Sequence, residues 1–282
     1  MKQVYLVLWG FSLALASYTP CAALDCVSNK DITDTVICGD DELQSADAKV
    51  KDAYERALSD APDGKLHAML VESQKRWRAA LARALERSPE RSASTTGSQY
   101  PTNRKEVAAV ALKTRLYDLL PEGKDRLPNL IARALENEKH ELTRYLNGEF
   151  AGYETSCEFM PVDFSYSCVT TRTYRNKERL CSVQERWTSG GPDQNRYVAN
   201  VTKGKPRLIA SCSLRWGGDS PCPIGVRDDG RWNTEPISHP ELYTSKQLPK
   251  VDAEVFEEDE AWVKVCLTDR SFPLADPARN IE

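Results

Sequence analysis

The stretch LDCVSNKDITDTVICGDDELQSAD, from Leu24 to Asp47, decides how the first part of the chain folds. It places two cysteines twelve positions apart across a segment rich in threonine and aspartate, and an acidic helical pattern begins directly behind the second cysteine. Apolar residues then recur at three- and four-residue steps from Leu43 to Ala61, which predicts one face of a helix of about 20 residues. Asp40 stands where it can cap that helix.

A second helix follows after the turn signal APDG at residues 61–64. Its apolar face runs from Leu66 to Ala84 and includes Trp77. Because the connection is so short, we expect the two helices to pack antiparallel as a hairpin. The first helix is acidic and the second is basic, so complementary faces would help them to pair; a partner-binding acidic face is the alternative.

An apolar leader precedes this hairpin. The run from Val4 to Ala16 follows Lys2 and leads to the small residues at Ala22 and Ala23, which predicts a signal peptide, residues 1–23, cleaved after Ala23. The run is shorter than the roughly 18 apolar residues that a membrane span needs. We therefore expect a periplasmic or secreted protein that is not inserted in a membrane after cleavage.

Cleavage would remove one of nine cysteines and leave eight. An even number in an exported protein predicts up to four disulfides. No cysteine pair has Cys-x-x-Cys spacing and the three histidines are far apart, so we expect neither a metal site nor a cofactor. The formal net charge of −4, one unit more negative without Lys2, excludes a general nucleic-acid binder and suits a basic protein partner.

The rest of the chain divides by composition. SPERSASTTGSQYPTN, residues 88–103, predicts a linker or long loop, and helical periodicity resumes behind it. Beyond residue 148 the chain holds six of the eight cysteines and short alternating segments: FSYSCVTTRTY, LCSVQERW, RYVANV and RLIASCSLRW predict strands, and WVKVCL a last one. We predict an α+β protein in which an antiparallel helical hairpin or bundle precedes a disulfide-rich antiparallel β domain. The predicted parts are the hairpin (24–87), the linker (88–103), further helices packed on the first pair (104–147) and the β domain (148–282).

One group of residues in the first part resembles a known family. Between Cys26 and Cys38 and on the two helices behind them, the order of residues is similar to the N-terminal domain of the lysozyme-inhibitor LprI family, over Leu24 to about Glu86. The matching residues are Cys26, Asp34, Ile37, Cys38, Leu43, Asp47, Tyr54, Gln74 and Trp77.

These positions also have a physical interpretation. A bridge between Cys26 and Cys38 would close a loop of about a dozen residues and contribute about 3 kcal/mol. Thr33 or Asp34 could cap the turn leading to Cys38, and Tyr54 and Trp77 would fill the core. We expect Gln74 to hydrogen-bond the chain near that bridge. Each of these roles is structural.

The pairing of the other six cysteines stays open. They are Cys157, Cys168, Cys181, Cys212, Cys222 and Cys266, which allow fifteen pairings among themselves. A hairpin turning near Val162 would set Cys157 opposite Cys168, although cross-strand bridges of that kind are strained.

The resemblance implies a non-enzymatic protein that binds and neutralises a basic, lysozyme-like glycosidase. The alternative is a recognition or immunity module in which the helices are a scaffold and the β domain binds an unknown effector or envelope partner. An enzyme is disfavoured, because the chain lacks HExxH, GxSxG and P-loop patterns, and His140 beside Glu141 is more typical of a helix surface. Possible partner contacts are the polar loop from Thr188 to Asn195, with Asp193 and Asn195, and the acidic run with Asp252, Glu254, Glu257, Glu258, Asp259 and Glu260.

Overall fold

The computed structural model of the protein describes residues 26, 31–88, 103–121, 128–144, 149–161, 164–188, 191–214, 222, 232–233, 248–255 and 261–273. Helices precede a sheet, and a last helix follows it. The elements are α1 (Ile32–Cys38), α2 (Asp41–Asp60), α3 (Gly64–Arg87), α4 (Arg104–Leu119), α5 (Asn129–Arg144), β1 (Glu149–Phe159), β2 (Tyr166–Arg175), β3 (Arg179–Thr188), β4 (Gly191–Thr202), β5 (Lys205–Leu214) and α6 (Ala261–Thr268). The predicted α+β class is confirmed.

The opening stretch forms α1 and the start of α2. Asp40 caps α2 as predicted, because its carboxylate accepts hydrogen bonds from the backbone N–H groups of Glu42 and Leu43. The cap of α1 is Asp31, whose Oδ1 accepts from the Asp34 N–H at 2.9 Å. The prediction that Thr33 or Asp34 caps this turn is wrong, since both lie inside α1 and are buried.

The predicted apolar faces of the two long helices lie in the core. Trp77 is fully buried, and so are Leu66, Leu70 and Ala80 on the same face of α3. The most extensive neighbour of α2 is α4, the helix beyond the linker, rather than α3. Both α2 and α4 bury alanines, which let two helices approach closely. The helices therefore form a bundle, and the predicted linker lies between two helices of that bundle.

Residues from the second half of the chain complete this helical core. Phe159 at the end of β1, together with Val251 and Ala253, belongs to the same buried cluster as Trp77 and Leu81. The helices and the sheet thus share one hydrophobic core across their junction.

The sheet is an antiparallel meander with the order β1-β2-β3-β4-β5. It contains the four segments predicted as strands and one further strand, β1. At Gly152 in β1 the backbone has φ = 131°, a conformation that favours glycine, and a Cβ there would lie 2.6 Å from atoms of Leu248 and Pro249. The close approach lets the Tyr153 N–H donate to the Pro249 carbonyl at 2.8 Å, so residues 248–249 cover this edge of the sheet.

Two predictions about the second half are wrong. Residues 188–195 are not a polar loop: Thr188 pairs with Gly191, and the residues from Gly191 to Asn195 belong to β4. WVKVCL is the helix α6 and not a strand. Its buried residues Trp262, Val263, Cys266 and Leu267 repeat with helical spacing, and they pack on the sheet residues Cys181 and Val198.

Disulfides link the elements at four places. Cys26–Cys38 closes the opening stretch, and Cys181–Cys266 joins β3 to α6 across the second core cluster. Cys157 and Cys168 are directly opposite on β1 and β2 and are bonded, and Cys212 is bonded to Cys222. Because three of the bridges span only 10 to 12 residues, the Cys181–Cys266 bond is the one that ties distant parts of the chain together.

The basic residues of α3 have a different role from the predicted one. Arg78 does pair with Asp47 of α2, at 2.7 Å. However, Arg83 and Arg87 both pair with Glu158 of β1, and Arg76 pairs with acids of the segment 251–255. Most of the α3 arginines that have ion pairs among the described residues thus attach the sheet half to the helices.

Candidate binding site

The family-motif residues in the first part of the chain are buried. They are Asp34, Ile37, Leu43, Asp47, Tyr54, Gln74 and Trp77. Asp47 accepts a hydrogen bond from Arg78. Gln74 accepts a 2.9 Å hydrogen bond from Nε of Arg115 on α4, and not one from the chain near the Cys26–Cys38 bridge, which was the prediction. A partner would therefore meet other residues.

A buried charge network, which we call the junction, lies between α3, α4 and the segment 251–255. Glu254 accepts hydrogen bonds from Ser73 Oγ at 2.6 Å and from Arg76 Nε at 2.9 Å, and Arg115 Nη1 lies 3.5 Å away. Asp252 accepts from Arg76 Nη2 at 2.9 Å and from Thr155 Oγ1 at 2.8 Å. Two arginines thus face two carboxylates in the interior, and their charges balance.

Burial and pairing act against each other in the junction. Burial disfavours the charge of Arg76, yet Asp252 and Glu254 together raise the pKa of Arg76. Arg115 is fully buried, and burial lowers its pKa although Glu254 opposes the effect. Burial likewise raises the pKa of Asp252, although the positive charge of Arg76 lowers it in part. These groups depend on one another: Arg115 is 0% exposed, and a charge buried there without a partner would be costly.

The predicted acidic partner contact is therefore corrected in part. Asp252 is 1% exposed and Glu254 is 9% exposed, so their carboxylates serve the junction and not a surface. The sequence did not indicate this burial, because the basic partners of the acidic run lie far away in the chain. Glu257, Glu258, Asp259 and Glu260 lie outside the described residues.

The other predicted contacts lie on β4. Asp193 is half-buried opposite Arg186, and Asn195 accepts a 2.6 Å hydrogen bond from Ser213 Oγ of β5. Both residues are thus part of a paired strand. Glu141, next to His140, is buried and accepts a 3.1 Å hydrogen bond from the Tyr174 hydroxyl. This position suits a structural role in joining α5 to the sheet.

An open cleft lies beside the junction. Its volume is about 570 Å³, which is within the usual range for ligand sites. Two of its walls are helix faces with the same spacing, Thr114, Tyr117 and Asp118 on α4 and Arg133, Glu136 and Asn137 on α5. The third wall consists of Tyr166 and Cys168 from β2 together with Ala253, Glu254 and Val255.

Several polar groups of the cleft are more exposed than those of the junction. Arg133 donates to Asp118 at 3.0 Å, but its side chain is 48% exposed. Tyr117 is 61% exposed, and Glu136 is exposed as well. Burial raises the pKa of Asp118, and Arg133 and Arg115 offset part of the rise.

Sequence reasoning did not find the cleft. The spacing i, i+3, i+4 of Thr114, Tyr117 and Asp118 could have indicated a polar helix face, and the same spacing recurs from Arg133. Nothing in the sequence alone, however, sets these two faces opposite each other.

The fold and the cleft together define a disulfide-cross-linked α+β protein with a charged cleft between its helices and its sheet. Residues 26–119 match the family model described as lysozyme inhibitor LprI. The match confirms the resemblance, covers about a third of the chain and extends it past the linker through α4. No curated protein and no solved structure matches the chain. The matched family is one of inhibitors and not of enzymes.

Proposed function

We propose that this protein is a non-enzymatic binding protein that inhibits lysozyme-type cell-wall glycosidases. The observation that carries the proposal is the family match over residues 26–119. The structure agrees with the match, because the motif residues of that region are buried in the core of α1 to α4.

The charge of the chain supports a basic partner. A formal net charge of −4 favours encounter with a cationic enzyme and raises the rate of association. We propose that Asp193 and the run from Glu257 to Glu260 contribute to this attraction. Asp252 and Glu254 have no part in it, since they are buried.

The leader sequence and the disulfides both indicate the compartment. We propose a periplasmic or secreted protein, with residues 1–23 as a signal peptide. Four disulfides suit an oxidising compartment. Among the helices of the described residues, none is both long and apolar enough to span a membrane.

The shared core favours one binding unit over a helical scaffold that carries an independent β domain. Phe159, Val251 and Ala253 would lose their apolar surroundings if residues 148–282 were separated from the helices. We therefore propose that both halves are needed for the inhibitor to fold.

The test is a titration of the oxidised protein, residues 24–282, into a cell-wall lysis assay with several lysozymes. We expect inhibition that saturates near an equimolar ratio and weakens at high salt. Reduced, alkylated protein is the control, since it should lose the fold and the inhibition together. Unchanged activity of every lysozyme would overturn the proposed function.

A further inference from the structure

Several hydrogen-bond donors of the cleft between α4, α5 and β2 are already used, whereas acceptors remain. Tyr166 donates its hydroxyl hydrogen to Glu254, and Thr114 donates to the Val110 carbonyl. Asn137 Nδ2 donates to the carbonyls of Asp252 and Val255, which leaves its side-chain oxygen as an acceptor. These acceptors suit a ligand that brings donors.

The charges of the cleft favour a cation. Arg133 is already committed to Asp118, and Glu254 is balanced by Arg76 and Arg115. Glu136 makes no hydrogen bond or ion pair with any described residue. Its exposed carboxylate faces a cleft whose remaining charges cancel.

An aromatic ring stands at the same opening. Tyr117 is 61% exposed and lies one helical turn from Thr114 on the cleft-facing side of α4. Tyrosine rings attract cations over their faces, and a guanidinium group can stack on a ring while its N–H groups meet a carboxylate. An exposed tyrosine and a carboxylate with no ion pair among the described residues line the same cleft, and this combination suits arginine better than a neutral ligand.

We propose that this cleft binds the guanidinium group of an arginine side chain presented by a basic protein partner. The identity of that partner rests on the proposed function, whereas binding of the guanidinium group does not. Tyr117 stacks on the guanidinium plane, and the Glu136 carboxylate accepts its N–H groups in pairs. The Asn137 oxygen and the outer oxygen of Asp118 supply further acceptors.

The experiment is a titration of the oxidised full chain with N-acetyl-arginine amide. Binding is measured by isothermal titration calorimetry and by the NMR chemical shifts of the tyrosines. We expect saturable binding with a dissociation constant of roughly 1 mM. Glu136→Gln should weaken it about tenfold and Tyr117→Ala about threefold. Both residues are exposed, so circular dichroism should show that both variants remain folded.

The matched control is Asp52→Asn on α2, which does not line the cleft. It removes one exposed negative charge, as Glu136→Gln does, and should leave the affinity unchanged. N-acetyl-glutamine amide is the neutral control ligand. Equal loss of affinity in Asp52→Asn and Glu136→Gln would overturn the proposal, as would equal binding of the two amides or no saturable binding.

A glycan is the other class of ligand that could supply donors. An N-acetylglucosamine oligomer that binds the cleft in preference to the arginine amide would also overturn the proposal. The lysis assay tests the function separately: arginine-amide binding without inhibition would refute the proposed function alone, and inhibition without arginine-amide binding would refute the cleft alone.

Discussion

The junction and the cleft are neighbours built from the same chemistry, arginines and carboxylates, yet they differ in exposure. In the junction, Glu254 has several partners and is 9% exposed. In the cleft, Glu136 is exposed and has no partner among the described residues. The charge of a group therefore does not reveal its role, whereas the saturation of its hydrogen bonds does.

The largest expected difference follows from the same substitution made in both places. Glu254→Gln leaves Arg76 and Arg115 with reduced compensation in the interior, and we expect a loss of about 3–5 kcal/mol in the free energy of unfolding. Glu136→Gln should change it by less than about 0.5 kcal/mol. Urea denaturation measures both, and equal effects would remove the distinction between the two regions.

A smaller contrast comes from the arginines. Arg76→Met leaves Asp252 without its ion pair, and we expect about 2–3 kcal/mol of destabilisation, less than for Glu254 because Arg115 remains. Arg133→Met breaks an exposed pair with Asp118 and should cost less than about 1 kcal/mol. Thermal unfolding of the two variants is the measurement. A more damaging Arg133→Met would mean that the cleft is structural.

Salt should change ligand affinity in the cleft more than the stability of the junction. Raising the salt concentration from about 50 to about 500 mM screens exposed charges but has little effect on buried ones. We expect the affinity for N-acetyl-arginine amide to fall several-fold, while the stability difference between wild type and Glu254→Gln stays nearly constant. An affinity that does not depend on salt would show that Glu136 does not attract the ligand by its charge.

The smallest predicted effect is a pH dependence of cleft binding. Burial raises the pKa of Asp118; Arg133 of α5 and Arg115 of α4 oppose the rise, and Glu254 of the segment 251–255 adds to it. As pH falls, Asp118 is therefore protonated at a higher pH than an ordinary aspartate and loses the charge that attracts a cation. The affinity for the arginine amide should decrease about twofold over this step. Asp118→Asn should abolish the step; persistence of the step in that variant would assign it to another group.

Much of the helical half could be predicted because its signals are local. Trp77, Leu66 and the cap Asp40 follow from spacing within one or two turns. The strand predicted in place of α6 was wrong, because valines in a short apolar run suit a strand and a buried helix equally. Periodicity alone does not decide between them in six residues.

The junction could not be predicted, because its partners are distant in the chain. Arg76 and Glu254 are 178 residues apart, and the acidic run around Glu254 looks like a solvated segment until the arginine is placed beside it. The cleft is an intermediate case. The two helix faces are visible in the sequence, but their meeting depends on how α4 and α5 pack against β2.

The most direct test compares wild type with the double variant Tyr117→Ala, Glu136→Gln in the lysis assay, with urea denaturation of both proteins alongside. We expect that wild type inhibits at least one lysozyme near an equimolar ratio, and that the double variant unfolds at the same urea concentration but binds the enzyme about tenfold more weakly. Equal inhibition by the two proteins would mean that the cleft has no part in binding the partner.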